Sequence, residues 1–202
     1  MQPGRIHRWP WWWALVGAAA TGVLLGGTNS LSNVLGSPYS PHALRPNEGV
    51  FTLEVLAAVL AMAWAWALVA FGLGWFSATK WRAASAGLLA LSVASAVYYV
   101  SDYSFGLNDA LSTGEMTYWI AISGAVGPAS GLLGHLARRW QQWGILPGLA
   151  APALVVVFAY RAGPDHIQPW PYVVAWILAV GLTIAVTWRW LLMQRRLRMV
   201  VP

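Results

Sequence analysis

Long apolar stretches broken by short polar intervals set the pattern of this chain. A membrane-crossing helix needs about 20 mostly apolar residues. Six stretches meet or approach that length: residues 11–35, 52–76, 83–101, 116–137, 145–160 and 172–192. The fifth is the shortest and holds Pro147 and Pro152. Pro147 suits a helix start, whereas Pro152 removes a backbone bond inside the span. Connections are short except for 36–51, where Pro38, Pro41 and Pro46 predict an ordered or partly extended loop. Arg5 and Arg8 ahead of an apolar run have the look of a signal peptide. That run continues to residue 35 with tryptophans at its start, so an uncleaved first helix is expected.

Composition sharpens this picture. Of 202 residues, 58% are hydrophobic and 9% charged, against roughly 25% charged in ordinary soluble domains. Lipid is the solvent such a chain requires. Its length suits one transmembrane domain over residues 1–202 and leaves no room for a separate soluble one. The absence of cysteine excludes disulfides, thiolate metal sites and cysteine nucleophiles.

The net charge of +6 matters less than its placement. In a six-span arrangement Arg5, Arg8, Lys80, Arg82, Arg138, Arg139, Arg189, Arg195, Arg196 and Arg198 fall on one side, and only Arg45 and Arg161 on the other. The basic side is cytoplasmic by the positive-inside rule. The acids, which played no part in that assignment, all fall opposite: Glu48, Glu54, Asp102, Asp109, Glu115 and Asp165. The expected fold is therefore an all-α polytopic bundle of six transmembrane helices in the cell membrane, with both termini cytoplasmic. Topology accounts for the basic excess, and no nucleic acid partner is expected. Ten tryptophans (Trp9, Trp11, Trp12, Trp13, Trp75, Trp81, Trp140, Trp143, Trp188 and Trp190) fall at the cytoplasmic boundary, where amphipathic rings act as anchors. Trp64, Trp66 and Trp176 sit inside spans and are free for packing or for a pocket.

Candidate chemistry gathers at the outer end. Glu54 lies about one turn inside the second span, where an ionisable group is costly unless paired or wetted. Arg161 is a natural partner for Glu54 or Asp102. In the third span Ser92, Ser95, Tyr99 and Asp102 share one helix face, with Ser85 about two turns below. Ala18, Gly22, Gly26 and Ser30 in the first span, and Ser123, Gly127 and Gly131 in the fourth, recur every four residues as close-packing faces. Asn29 and Asn33 beside the first of these faces need hydrogen-bond partners. Pro128 is expected to kink the fourth span and free a carbonyl near Gly124. A metal site from His42, Asp165 and His166 lacks any established ligand spacing, so no metal is expected. His135 near the cytoplasmic end adds nothing to it. No phosphate loop, nucleophile elbow, dinucleotide fingerprint or haem-type histidine pair is present, and no cofactor is expected.

The segments Gly26-Gly27-Thr28-Asn29-Ser30, Trp66-Ala67-Leu68-Val69-Ala70-Phe71 and Gly127-Pro128 with Gly131 and Gly134 resemble an uncharacterised family of six-span actinobacterial membrane proteins. The proline-containing first loop departs from that family's pattern. The resemblance implies the fold and carries no activity with it.

Two functional readings follow. In the first, the outer end binds or processes an apolar or amphiphilic small molecule. Glu54 and Asp102 are its catalytic carboxyls, and Asn29, Asn33, Trp64, Tyr99, Glu115, Trp119 and Arg161 line its site. A protonated carboxyl as general acid with aromatic faces around a cationic intermediate is the equipment of isoprenoid cyclisation. The alternative is a non-enzymatic transporter or an accessory subunit with a membrane protein partner. The lack of an inverted repeat and the scarcity of mid-membrane charge count against autonomous transport.

Overall fold

A computed structural model describes residues 11–36, 40, 48–139, 143–162 and 170–198. Arg45, His42, Asp165 and His166 lie outside the described residues, as do the side chains of Glu54 and Arg161. The expected Arg161 pairing and the histidine cluster therefore fall outside what the structure describes.

Among the described residues the fold is all-helical: α1 (Trp11–Gly36), α2 (Glu48–Leu60), α3 (Ala63–Phe76), α4 (Lys80–Ser104), α5 (Thr113–Arg139), α6 (Ile145–Ala162) and α7 (Trp170–Arg198). Four of them are long and apolar enough to cross a bilayer: α1, α4, α5 and α7. This is a membrane protein. The apolar helices Ala63–Phe76 and Ile145–Val157 are shorter.

One expectation is corrected. Residues 52–76 do not form a single helix but two, α2 and α3, separated by Ala61 and Met62. Neither proline nor glycine stands at the break. Met62 is extended (φ −78°, ψ 127°), and local bonds take up the groups it frees. Trp66 Nε1 donates to the Leu60 carbonyl at 2.6 Å, Met62 N to Val59 O at 3.1 Å, and Ala65 N to Met62 O at 3.0 Å. The interruption is thus satisfied within the protein, as backbone polar groups away from water must be. By contrast, α5 and α6 each run through their internal proline, Pro128 and Pro152, as one helix.

The centre of the bundle is α3, α4 and α5 in mutual contact; α1 lies along α4, and the α6–α7 pair closes on α3 and α5. Small residues make this approach possible. A Cβ at Gly131 would overlap the Ala83 carbonyl, one at Gly74 the Gly131 carbonyl, and one at Gly87 the Gly127 carbonyl. The α5 stripe of Ser123, Gly127 and Gly131 is buried, as expected. The α1 stripe is equally literal: Ala18 and Ser30 are fully buried, and Cβ atoms at Gly22 and Gly26 would strike the Ala90 and Ala94 carbonyls. Lipid tails are as apolar as leucine, so close backbone packing of this kind is what holds membrane helices together. In α7 only 11% of the apolar window is buried, against 44% in α4, which leaves α7 the most lipid-facing of the spanning helices.

Candidate functional site

Two polar regions lie at opposite ends of the bundle. The first forms where α4 ends. Gly106, at φ +72°, takes the left-handed conformation that closes a helix. Gly106 N then donates to Tyr103 O and Leu107 N to Asp102 O, both at 3.0 Å. This is the paired bonding of a Schellman motif, and it fixes the backbone of Asp102 without help from any side chain.

The Asp102 carboxyl is thereby left to other partners. It is buried, and Ser30 Oγ of α1 donates to its Oδ1 at 2.5 Å, a length usual for a hydroxyl on a carboxylate. The Tyr98 hydroxyl faces it as well, being one helical turn earlier on α4. Asn33 Nδ2 donates to that hydroxyl at 3.0 Å, so the Tyr98 proton is free to point at Asp102. Among the described residues the groups that hold Asp102 are thus neutral donors. Asn29, one turn before Asn33, is 3% exposed, and its Oδ1 has no hydrogen-bond partner among the described residues.

An aromatic strip leads outward from this cluster. The Tyr98 and Tyr99 rings meet edge to face at 5.2 Å. Tyr99 in turn lies beside Glu115 and Trp119 at the start of α5, and Trp119 meets Tyr118 edge to face at 5.6 Å. Glu115, Tyr118 and Trp119 are exposed. One turn deeper, Ser95 and Ser123 face each other at 3.5 Å. Their position between α4 and α5 agrees with the expected serine face, whereas Ser85 is exposed.

Of the site residues expected from sequence, Asp102, Asn29, Asn33 and Tyr99 lie in or next to this cluster, and Glu115 and Trp119 at its rim. Trp64 does not belong to it: it is packed in an apolar core with Ala65, Val155, Ala175 and Ala179. Asp109 is exposed on the following loop. Sequence reasoning missed Ser30 as a ligand of Asp102, having read it as a packing residue, and did not single out Tyr98. The four-residue step from Tyr98 to Asp102 was the available signal for the latter.

The opposite end is basic. Arg138 Nη1 donates to Trp75 O at 3.1 Å and Arg139 Nη2 to Ala78 O at 2.8 Å. His135 Nδ1 meets Ser77 O at 3.1 Å. Arg189 Nη1 and Nη2 donate to Ala137 O and Arg138 O at 2.6 and 2.9 Å, with the guanidinium 4.4 Å from the Trp75 ring centre. The arginines satisfy carbonyls at or just past the ends of α3 and α5 and sit toward the negative end of each helix dipole. Trp75, expected only as a boundary anchor, is therefore also the platform for Arg189. A hollow of about 270 Å³ lies at this same end, against Trp190, Leu191, Gln194 and Arg195.

Among the described residues no group of three or more histidines, cysteines or acids could hold a metal ion. No family model matches the chain, and neither a curated protein nor a solved structure matches it.

Proposed function

We propose that this is a six-pass protein of the cell membrane, with both termini in the cytoplasm, whose outer end binds an apolar or amphiphilic small molecule through Asp102. The topology rests on the ten-to-two division of basic residues and on the opposite placement of all six acids. In this reading α2 and α3 together make one interrupted crossing and α6 another, and the chain belongs with the uncharacterised six-span proteins it resembles.

The single observation that carries the ligand reading is a buried carboxyl held by Ser30 and Tyr98. An ionisable residue within a membrane bundle points to function by default, and among the described residues Asp102 meets no cation. Its chemistry suits the hydroxyl or amine head of an amphiphile, with the Tyr98–Tyr99–Trp119 strip against the apolar body. Should the ligand react, Asp102 would serve as general acid, protonating a double bond or alcohol in isoprenoid-type chemistry. Glu54, in the middle of α2, is the second carboxyl of that scheme.

The alternative is a non-enzymatic transporter or an accessory subunit. The low burial of α7 favours it, but the small-residue faces that would have supported a partner are used inside the bundle.

Titration of the purified chain in detergent with geranylgeraniol, followed by tryptophan fluorescence, tests the ligand reading. A saturable change that Trp119→Phe removes is expected; a linear, unsaturable response equal in both proteins contradicts it. Topology is tested by cysteines placed at Ser37, Asn108 and Gln194. The first two should label from outside intact cells and the third should not.

A further inference from the structure

The basic end has an electrostatic imbalance that no described residue corrects. Arg138 and Arg139 are consecutive residues closing α5, and each uses one guanidinium nitrogen on a carbonyl, of Trp75 and Ala78 respectively. A guanidinium carries five N–H donors, and both side chains are exposed, so each retains donors on its outward side. Arg189 stands behind them with its fork on the Ala137 and Arg138 carbonyls. Three positive charges thus converge on the joined ends of α3 and α5. The carbonyl dipoles offset part of that charge. Among the described residues no carboxylate offsets the rest, because Asp102, Asp109 and Glu115 all lie at the opposite end.

Depth identifies the missing anion. Arg138 and Arg139 are the last two residues of the candidate span Thr113–Arg139, and arginines at the end of a span sit at the level of lipid headgroups. We infer that Arg138 and Arg139, anchored by their contacts with α3, form a binding site for the phosphate of an anionic phospholipid. Phosphate oxygens accept the paired N–H donors of a guanidinium, and basic residues between membrane helices are suited to acidic headgroups. The hollow on α7 at the same end, with Trp190 and Leu191 below Gln194 and Arg195, offers an apolar wall beneath a cation, the profile of an amphiphile. This site is independent of the ligand reading at Asp102.

The test uses the full chain purified in neutral detergent, with lipid retention followed by native mass spectrometry and stability by thermal melting. Phosphatidylglycerol should be retained and should raise the melting midpoint by several degrees; phosphatidylcholine should do neither. The double change Arg138→Gln, Arg139→Gln should abolish that preference. Because these arginines also cap α3, Arg138→Lys, Arg139→Lys serves as the second variant. It keeps the charge but not the fork, and should retain the anionic lipid more weakly and release it with added salt. Equal retention of the two lipids by the native chain, or an undiminished preference in the glutamine variant, overturns the site. Lysine variants that hold the lipid as tightly as the native chain overturn the guanidinium geometry. Inorganic phosphate stabilising as strongly as phosphatidylglycerol overturns the lipid assignment in favour of a soluble anion.

Discussion

The two ends of the bundle use buried polarity in opposite ways. At the Arg138 end, the helix termini are closed by side chains: Arg138, Arg139, His135 and Arg189 each reach a backbone carbonyl. Removing one of these strands a carbonyl. At the Asp102 end, the backbone closes its own helix through Gly106. The side chains there bond to one another instead, and the Asn29 Oδ1 finds no partner among the described residues. Burial alone therefore does not separate structural from functional polar groups. What separates them is whether their absence would strand a backbone group.

Both ends depend on the packing between them, so the largest effect is expected in the middle. Gly131→Leu would drive a side chain into the Ala83 carbonyl, and overpacking of this kind costs about 3 kcal/mol or more where backbone must move. Unfolding in mixed micelles should show both ends lost together. A variant of unchanged stability would separate α5 from the centre and dissolve the comparison.

A smaller effect is expected at the basic end. Arg189→Met keeps apolar bulk over Trp75 but abandons the Ala137 and Arg138 carbonyls. Leaving such acceptors unsatisfied costs roughly 1–3 kcal/mol. Arg189→Lys, with a charge but no fork, should fall between the two. If neither change moves the unfolding midpoint, the cations at this end are not structural.

The smallest effect is expected at Asn29. Leucine there keeps the branched outline with bulkier ends and removes an oxygen without a hydrogen-bond partner, so stability should stay within about 0.5 kcal/mol of the native chain or rise. A loss approaching that of Arg189→Met would place Asn29 among the structural groups and erase the contrast between the ends.

Much of the fold was legible because membrane helices announce themselves by length and by small residues at four-residue steps. Ala18, Gly22, Gly26 and Ser30 read as one face, and that face packs on α4. The break at Ala61–Met62 was not legible. Prolines mark interruptions in sequence, yet α5 and α6 continue through theirs. The α2–α3 break instead carries a side chain folded back, Trp66 onto Leu60, in a stretch with no local signal. The candidate site was legible by depth and face but not by partner. Asp102 and Asn33 could be placed at one end of the bundle from the alternation of spans, whereas the Ser30–Asp102 bond joins residues 72 apart in the chain. Its existence depends on how α1 and α4 are offset along each other, which periodicity does not specify. Charge complementarity pointed to Arg161, whose side chain lies outside the described residues, and did not point to the Ser30 and Tyr98 hydroxyls that meet Asp102.

In the ligand reading Asp102 is held by the fold but not required by it. The most direct measurement is the Asp102→Asn variant, followed in parallel by thermal melting and by geranylgeraniol titration. Asparagine keeps the size of the side chain and an oxygen to accept from Ser30, while losing the negative charge and the exchangeable proton of the carboxyl. The account predicts a melting midpoint close to that of the native chain and loss of saturable binding. A marked fall in melting midpoint with binding retained would contradict it, making Asp102 a structural group like Arg189.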